Sequence, residues 1–469
     1  MDTADIPVET TVINNARLFT GEGSSPIERG HMVIAGEDIV SIGEQPLTVS
    51  NSRSVDPTVV DAAGKTVLPG LIDSHVHSVT EAPFGSACAA SPKPQVAKRN
   101  RDRHLRQGAT TVISVDPFAF PEDVRRARNN HPLKIELGAC PCPSLVEAAR
   151  LVDGEGLTQR RRNYTIPEAI EAGAVMMGEL GGGSTLAGSV QRILFVPRAI
   201  KERTGSEIEA AEADALITAV LGRHADPGEY DEESAQEALY EAGLAEDLTP
   251  NELRELIMDV TWPSVEHALN AVEEVAEYST YYDIPFMIHN AAASKSAIEK
   301  VANEPIHVVA GHSNHPTFTY DEALEFAQQL RRHETVTIDI SSWDLFTDSD
   351  RLPPAKKEEM REQFVEFVDR GLVDTITTDW SWKHPGGDWH SLLVPIKEIV
   401  DRGVLSLEQA ITLVTRNPAE TFPHIGTTRG TLAPGKAADF LIVSSEDITS
   451  IESVFVDGRP VLIDDDLAY

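Results

Sequence analysis

An apolar run that ends on two histidines constrains the fold of this chain more than any other stretch. Residues 67–77 are Val-Leu-Pro-Gly-Leu-Ile-Asp-Ser-His-Val-His, and this pattern predicts a buried strand that leaves a Pro-Gly turn. Side chains two apart on a strand point to the same side, so His75 and His77 can bind one metal ion if the strand ends in a cavity. A His-x-His pair also arises by chance or at a solvated strand end, so the other strands decide between these interpretations.

Strands and helices alternate along the chain after this run. Each predicted strand is too continuously apolar to be exposed on one face, and helical periodicity follows it. Such a pattern is typical of a parallel sheet covered by helices, and eight strands indicate an α/β fold with a closed (β/α)8 TIM-type barrel. The active face of such a barrel lies at the carboxyl ends of its strands. The eight predicted strands are 67–77, 109–116, 133–140, 174–179, 285–289, 307–312, 335–340 and 375–379.

Two further regions surround and interrupt the barrel, which we predict at 67–425. Residues 1–66 and 426–469 contain short apolar runs and turns, so we expect both termini to form one small accessory β domain. Residues 184–280 are helical and acidic throughout. This segment greatly exceeds the usual connection of about 2 to 6 residues in α/β units, so it is a helical insertion between strands 4 and 5. The sequence leaves three roles open for this insertion, namely a lid over the site, a dimer contact and an addition without function.

Charge and composition narrow the range of partners. The formal net charge of −35 repels phosphate backbones and anionic lipids, which argues against nucleic acid and membrane surfaces. We find no stretch of about 18 consecutive apolar residues and no secretory signal pattern, so we expect a cytoplasmic protein. The three cysteines cannot form a disulfide framework. We expect a small-molecule substrate and a homo-oligomer.

Nitrogen and carboxylate donors stand at the ends of five of the eight predicted strands. Two divalent ions that share one bridging carboxylate need about this set of ligands, with open positions left for hydroxide. A single buried histidine is more simply explained as a core residue, but that explanation weakens for a full set at successive strand ends. Zinc is the first expectation, and iron or manganese also suit these donors. The six candidate ligands are His75 and His77 on the first strand, Glu179 on the fourth, His289 on the fifth, His312 on the sixth and Asp379 on the eighth.

The motif PGLIDSHVH, the later histidines and aspartate in order, and the closing APGKAADFLIV resemble the amidohydrolase superfamily over nearly the whole chain. The resemblance implies a binuclear metal centre, which many members bridge with a carboxylated lysine after the fourth strand. Between the third strand and His289 the only lysine is Lys201, inside the insertion. Glu179, in Met-Gly-Glu-Leu-Gly, is therefore the available bridge, and this Gly-Glu pair resembles enamidases and bacterial adenine deaminases. The run His-Ser-Asn-His-Pro-Thr at 312–317 is also similar to enamidases.

Further residues near the strand ends are candidates for contact with substrate. The stretch 379–390 is similar to the Asp-x-x-x-His-Pro segment of adenine deaminases, but Trp380 stands where that family has a second aspartate. This departure disfavours adenine itself as the substrate. Inert buried thiols are the simpler interpretation for the cysteines after the third strand. The candidate substrate contacts are Asp116, Cys140, His315, His384 and His390.

Together these features predict a hydrolase that attacks an amide, lactam, imide or amidine carbon in a cyclic or ring-attached group. Hydroxide held between two ions is the expected nucleophile, because metal binding brings the pKa of water near neutrality. Asp379 is expected to take the proton and deliver it to the leaving nitrogen. Deamination of an aminopurine-like ring is the alternative reaction. A metal-free binding scaffold is a third interpretation, although a scaffold has no need for six metal donors.

Overall fold

The computed structural model describes residues 10–48, 57–83, 91–129, 131–153, 157–182, 185–186, 191–347, 353–380 and 389–469. The candidate His384 and the cysteine Cys88 lie outside these ranges. The described chain begins with five short strands, as the turn-rich sequence predicts. These strands are β1 (Thr10–Leu18), β2 (Ile27–Ala35), β3 (Asp38–Gly43), β4 (Thr58–Asp61) and β5 (Lys65–Pro69).

Eight parallel strands follow and form the barrel. Each pairs with the next along the chain, and a bridge between Val76 and Trp380 connects the last strand to the first. Every residue of the first strand is buried, because both faces of a parallel sheet are covered. The predicted (β/α)8 TIM-type barrel is therefore confirmed. Its strands are β6 (Leu71–Val76), β7 (Ala109–Ser114), β8 (Lys134–Gly138), β9 (Ala174–Leu180), β10 (Phe286–His289), β11 (Val308–Gly311), β12 (Val336–Ser341) and β13 (Thr375–Thr377).

Helices connect successive strands and cover the barrel. None of the helices in the described ranges combines the length and apolar content needed to cross a membrane. After β13, short helices bring Phe422 and Ile425 against Ile72 and Met287 of the barrel strands, in one apolar cluster. The helices are α1 (Pro94–Arg106), α2 (Pro121–Arg128), α3 (Pro143–Asp153), α4 (Gln159–Arg162), α5 (Ile166–Glu171), α6 (Val196–Thr204), α7 (Ala210–Leu221), α8 (Glu232–Glu241), α9 (Pro250–Val260), α10 (Trp262–Tyr282), α11 (Lys295–Val301), α12 (Tyr320–Leu330), α13 (Pro354–Asp369), α14 (Leu393–Asp401), α15 (Leu407–Ala410), α16 (Arg416–Thr421) and α17 (Pro423–Gly426).

The two ends of the chain form one nine-stranded accessory sheet. The C-terminal strands are β14 (Phe440–Ser444), β15 (Ile451–Val456), β16 (Arg459–Ile463) and β17 (Asp466–Leu467). β14 pairs antiparallel with β5, so the accessory sheet reaches Pro69 and extends beyond the predicted boundary at residue 66. Gly70 lies between this sheet and the first barrel strand. A side chain would not fit there, because a Cβ on residue 70 would lie 2.2 Å from Thr110 Oγ1.

The helical segment between β9 and β10 has two parts. Helices α6 to α9 pack around a separate apolar core that includes Val196, Leu216, Leu239 and Ile257. Helix α10 instead packs against α3 and contributes buried residues to the main core of the barrel. The inserted unit is therefore shorter than the predicted 184–280, since α10 is the barrel's own connecting helix.

Candidate metal centre

Glu179, at the end of β9, lies between two pairs of histidines. Its Oε1 is 2.7 Å from His289 Nδ1 and 3.0 Å from His312 Nε2. Its Oε2 is 3.5 Å from His77 Nε2 and 3.8 Å from His75 Nε2. One carboxylate thus directs one oxygen to the first-strand histidines and the other oxygen to the histidines of the fifth and sixth strands.

Asp379 follows β13, the strand next to β6 in the closed barrel, and approaches the first-strand histidines from there. Its Oδ1 lies 3.4 Å from His77 Nε2 and 3.6 Å from His75 Nε2. The backbone places it there, because the Asp379 N–H donates to the His75 carbonyl oxygen and the His77 N–H donates to that of Trp380. The Asp379 side chain is 17% exposed, whereas that of Glu179 is 5% exposed. Asp379 therefore lies nearer the open side of the site.

The donors fit divalent cations. Ligand atoms within 4.8 Å of one another form three groups, namely His75 with His77 and Glu179, Glu179 with His289 and His312, and His75 with His312 and Asp379. Among the described residues, the buried His75 Nε2 has no hydrogen-bond partner, although two carboxylates lie within 4 Å of it. A cation between these atoms would satisfy both the nitrogen and the buried negative charges. Imidazole and carboxylate ligands without thiolate suit zinc, iron and manganese.

Electrostatics keep the two carboxylates ionised. Burial alone would raise the pKa of Glu179, but the charge of His289 and hydrogen bonds from His289 and His312 hold it well below its usual range. Burial likewise opposes ionisation of Asp379, yet the charges of His75 and His77, together with a hydrogen bond from His77, lower its pKa to about 2. Both groups are therefore in the form that metal coordination requires.

Asp116, predicted as a substrate contact, lies instead behind a candidate ligand. Its Oδ1 is 3.0 Å from His77 Nδ1, and its Oδ2 accepts a hydrogen bond from the Ser78 N–H at 3.0 Å. The side chain is fully buried. Both carboxylate oxygens are directed at His77 and Ser78, a consequence of tertiary packing that its place after a strand could not reveal. Asp116 can orient His77, a role that carboxylates commonly have behind metal-binding histidines.

The other predicted substrate contacts within the described residues lie in different parts of the barrel. The His315 ring lies next to the centre, with its centroid 4.9 Å from that of His289 and 5.1 Å from that of His312. Cys140 is fully buried in the main apolar core, and burial raises the pKa of its thiol well above the ordinary value. The structure therefore places Cys140 with core residues, and its contact with substrate stays a prediction. His390 is buried and its Nε2 lies 2.9 Å from the Ser342 hydroxyl, just after β12.

Sequence reasoning missed two buried aspartates. Asp339, on β12, accepts hydrogen bonds from the His312 N–H and the Thr377 hydroxyl at 3.0 Å each. Asp73, on β6, accepts hydrogen bonds from the Thr378 N–H at 3.2 Å and the Thr378 hydroxyl at 2.5 Å. Burial raises the pKa of Asp73 to about 7. An acidic residue inside an otherwise apolar strand was the signal available for both.

A profile of the Amidohydrolase family matches residues 66–461, most of the chain. The chain belongs to the amidohydrolase family. This result confirms the resemblance at the level of the superfamily.

The individual relatives of this amidohydrolase have low sequence identity to it. An enamidase from Eubacterium barkeri is 28% identical over 182 residues, which are 38% of this chain and 43% of the relative. A dihydroorotase from Streptococcus thermophilus is 22% identical over 492 aligned residues, which cover 95% of this chain and 92% of the relative. The solved β-aspartyl dipeptidase of Fervidobacterium islandicum AW-1 has a TM-score of 0.55 at 16% identity over 98% of each chain, and supports the fold alone. Family relatives such as dihydroorotases and hydantoinases are hydrolases acting on C–N bonds, so the chain is an enzyme of this class.

Proposed function

We propose that this enzyme hydrolyses the C–N bond of a small amide, lactam, imide or amidine, in a cyclic or ring-attached group, at a centre of two divalent ions. The observation that carries the proposal is the position of Glu179, with one oxygen toward each histidine pair. His75, His77 and Glu179 would hold one ion. Glu179, His289 and His312 would hold the other, so the carboxylate would be shared.

The lysine content supports Glu179 as the bridge. Lys201, the lysine that precedes His289 after the third strand, lies on α6 of the inserted unit. Its Nζ is 2.5 Å from Glu207 Oε1, and both side chains are largely exposed. A carboxylated lysine at the centre is therefore not part of the proposal.

When bound at these residues, divalent cations would supply Lewis acidity, which would lower the pKa of water toward neutrality and polarise a substrate carbonyl. Zinc is the first expectation, and iron and manganese suit the same donors. The protein contributes the fixed positions of six ligands on strand ends, which hold their geometry better than loops.

Asp379 is the proposed proton carrier. It is a carboxylate at neutral pH, so it has a lone pair with which to accept a proton from the attacking water. It is also the more exposed of the two carboxylates, so it can reach the leaving nitrogen and return the proton there. Expulsion of a protonated amine or amide nitrogen then completes C–N cleavage.

His315 is a proposed wall of the substrate pocket. Its Nδ1 accepts a hydrogen bond from the Thr317 N–H at 3.3 Å, which places the proton of a neutral ring on Nε2. The ring lies against the histidines of the second metal group. Contact of substrate with His384 and His390 remains a prediction, as do the homo-oligomer and the cytoplasmic location.

A substrate screen tests this function. Metal-loaded enzyme is incubated with cyclic imides, lactams, hydantoins, dihydropyrimidines and aminopurines, and products are measured by mass spectrometry together with released ammonia. We expect ring opening without ammonia for at least one cyclic amide, and product formation slower by about 100-fold or more with the Asp379→Asn variant. Ammonia release would assign the chemistry to deamination. Tight ligand binding without turnover of any compound would contradict an enzymatic role and favour a binding scaffold.

A further inference from the structure

Asp339 contacts a histidine from each of the two proposed metal groups. We propose that it is a positioning residue that orients His75 and His312 together and so couples the two ion sites. The inference rests on the proposed binuclear centre, but it concerns metal binding and does not depend on the substrate.

The contacts of Asp339 converge from three strands. The residue is fully buried on β12. Its Oδ2 lies 3.0 Å from the His312 backbone nitrogen, which donates to it, and 3.6 Å from His75 Nδ1. His75 is on the first strand and His312 follows the sixth, so one carboxylate oxygen contacts ligands from both sides of β12.

Two hydroxyl groups hold the Asp339 carboxylate in place. The Thr375 hydroxyl donates to Oδ1 and the Thr377 hydroxyl donates to Oδ2, each at 3.0 Å. Both threonines belong to β13, the strand that leads to Asp379. The carboxylate therefore has little freedom to turn away from the two histidines.

The effect on His75 is electrostatic, because Asp339 Oδ2 lies 3.6 Å from His75 Nδ1, beyond hydrogen-bond distance. A negative oxygen facing Nδ1 favours the tautomer with the proton on Nδ1, which leaves the lone pair of Nε2 for a metal ion. Nε2 is the atom that faces Glu179 and Asp379. The neighbouring ligand has a carboxylate in the corresponding position but closer, since Asp116 Oδ1 lies at hydrogen-bond distance, 3.0 Å, from His77 Nδ1. Both first-strand histidines thus have a buried carboxylate behind the ring.

The interaction with His312 concerns its backbone. His312 has a φ of 38°, in the left-handed region that side chains with a Cβ rarely adopt. Such a conformation persists only when its surroundings determine it. The bond from the His312 N–H to Asp339 is one such contact, and the bond from the Ser313 N–H to the Asp339 carbonyl oxygen at 2.7 Å is another.

The test compares metal affinity in Asp339→Asn and a matched control. The amide keeps the shape of the side chain but loses the charge and presents an N–H₂ group that cannot accept from all its present donors. Zinc affinity is measured by chelator competition, stoichiometry by elemental analysis, and the fold by circular dichroism. We expect affinity to fall by about 10- to 100-fold, the usual effect of removing a group that supports a metal ligand.

Asp374→Asn is the control, because it makes the same chemical change in the residue that precedes β13, at the end of that strand away from Asp379. Asp374 Oδ2 accepts from the Ile338 N–H at 2.7 Å, away from the histidines. We expect its zinc affinity to match that of the parent within about twofold. A folded Asp339→Asn variant with the parental affinity would overturn the proposal, as would an equal loss in both variants.

A measurement on the unmutated protein covers the case in which Asp339→Asn does not fold. Ring nitrogens are observed by NMR in zinc-loaded protein with ¹⁵N-labelled histidine, and the His75 signals are assigned by their loss in His75→Asn. The proposal expects a protonated Nδ1 and a metal-bound Nε2 for His75. Metal on Nδ1, or an unprotonated Nδ1, overturns it. If zinc binds as expected but no compound is turned over, the proposed reaction fails while the role of Asp339 stands.

Discussion

Glu179 Oε1 lies 2.7 Å from His289 Nδ1, although the two residues are 110 positions apart in the chain. The helices α6 to α10 fill that interval, yet β9 and β10 are adjacent strands of the barrel. The insertion therefore leaves the metal-binding edge intact. Because of this contact, substitution of Glu179 should affect metal binding directly.

Glu179→Gln should remove the shared negative charge while keeping the shape of the side chain. We expect metal content to drop to one ion per chain or fewer, and turnover to fall with it. Elemental analysis and single-substrate kinetics measure both. Glu168→Gln, at the exposed start of α5, is the control and should keep parental values. If activity of the parent depended on added bicarbonate, a carboxylated lysine would be implicated and Glu179 would lose its role.

Asp379→Asn should separate proton transfer from metal binding. Both histidine pairs and Glu179 remain, so we expect most of the metal to be retained while kcat falls by about 100-fold or more, the size that loss of a general base commonly has. Metal analysis and steady-state kinetics on the same preparation decide the matter. Near-native turnover would refute the assigned role, and loss of all metal would show that Asp379 is chiefly a structural ligand.

Three buried histidines away from the proposed ligands should make the fold sensitive to acid. Burial lowers the pKa of His104 to about 3, of His131 to about 4 and of His390 to about 3. Below pH 6.5 the unfolded chain binds protons on these rings and the folded chain does not. The free energy of unfolding should therefore decrease as pH falls from about 6.5 to about 4, by up to about 1.4 kcal/mol per pH unit for each ring.

Urea unfolding at several pH values between 6.5 and 4.5 measures this dependence. His131→Asn should make the slope shallower by about 1 kcal/mol per pH unit, because one of the three rings is removed. The exposed His424 provides the control, and His424→Asn should leave the slope unchanged. An identical slope in His131→Asn and the parent would contradict the assignment of this ring.

The barrel could be predicted from the sequence because the pattern that indicates it lies within each strand. Apart from β8, each barrel strand is buried on both faces, and the histidines and carboxylates follow at the strand ends. The extent of the insertion was harder to predict. Helix α10 carries acidic residues such as Glu273 and Glu277 on its solvent side, as the inserted helices do, and only its packing against α3 identifies it as part of the barrel.

The supporting residues could not be predicted because their roles depend on contacts distant in sequence. Asp116 and Asp339 are both acidic residues on or after barrel strands, and nothing local distinguishes a substrate contact from a group behind a ligand. The distinction comes from burial and from the partners His77 and His312. Cys140 likewise follows a strand but turns into the core.

The number of metal ions per chain tests the central claim most directly. The protein is stripped with chelator, reconstituted with excess zinc, iron or manganese, separated from free metal and examined by elemental analysis. Two histidine pairs that share Glu179 predict close to two ions per chain. At most one ion per chain with every metal, in folded protein, would contradict a binuclear centre.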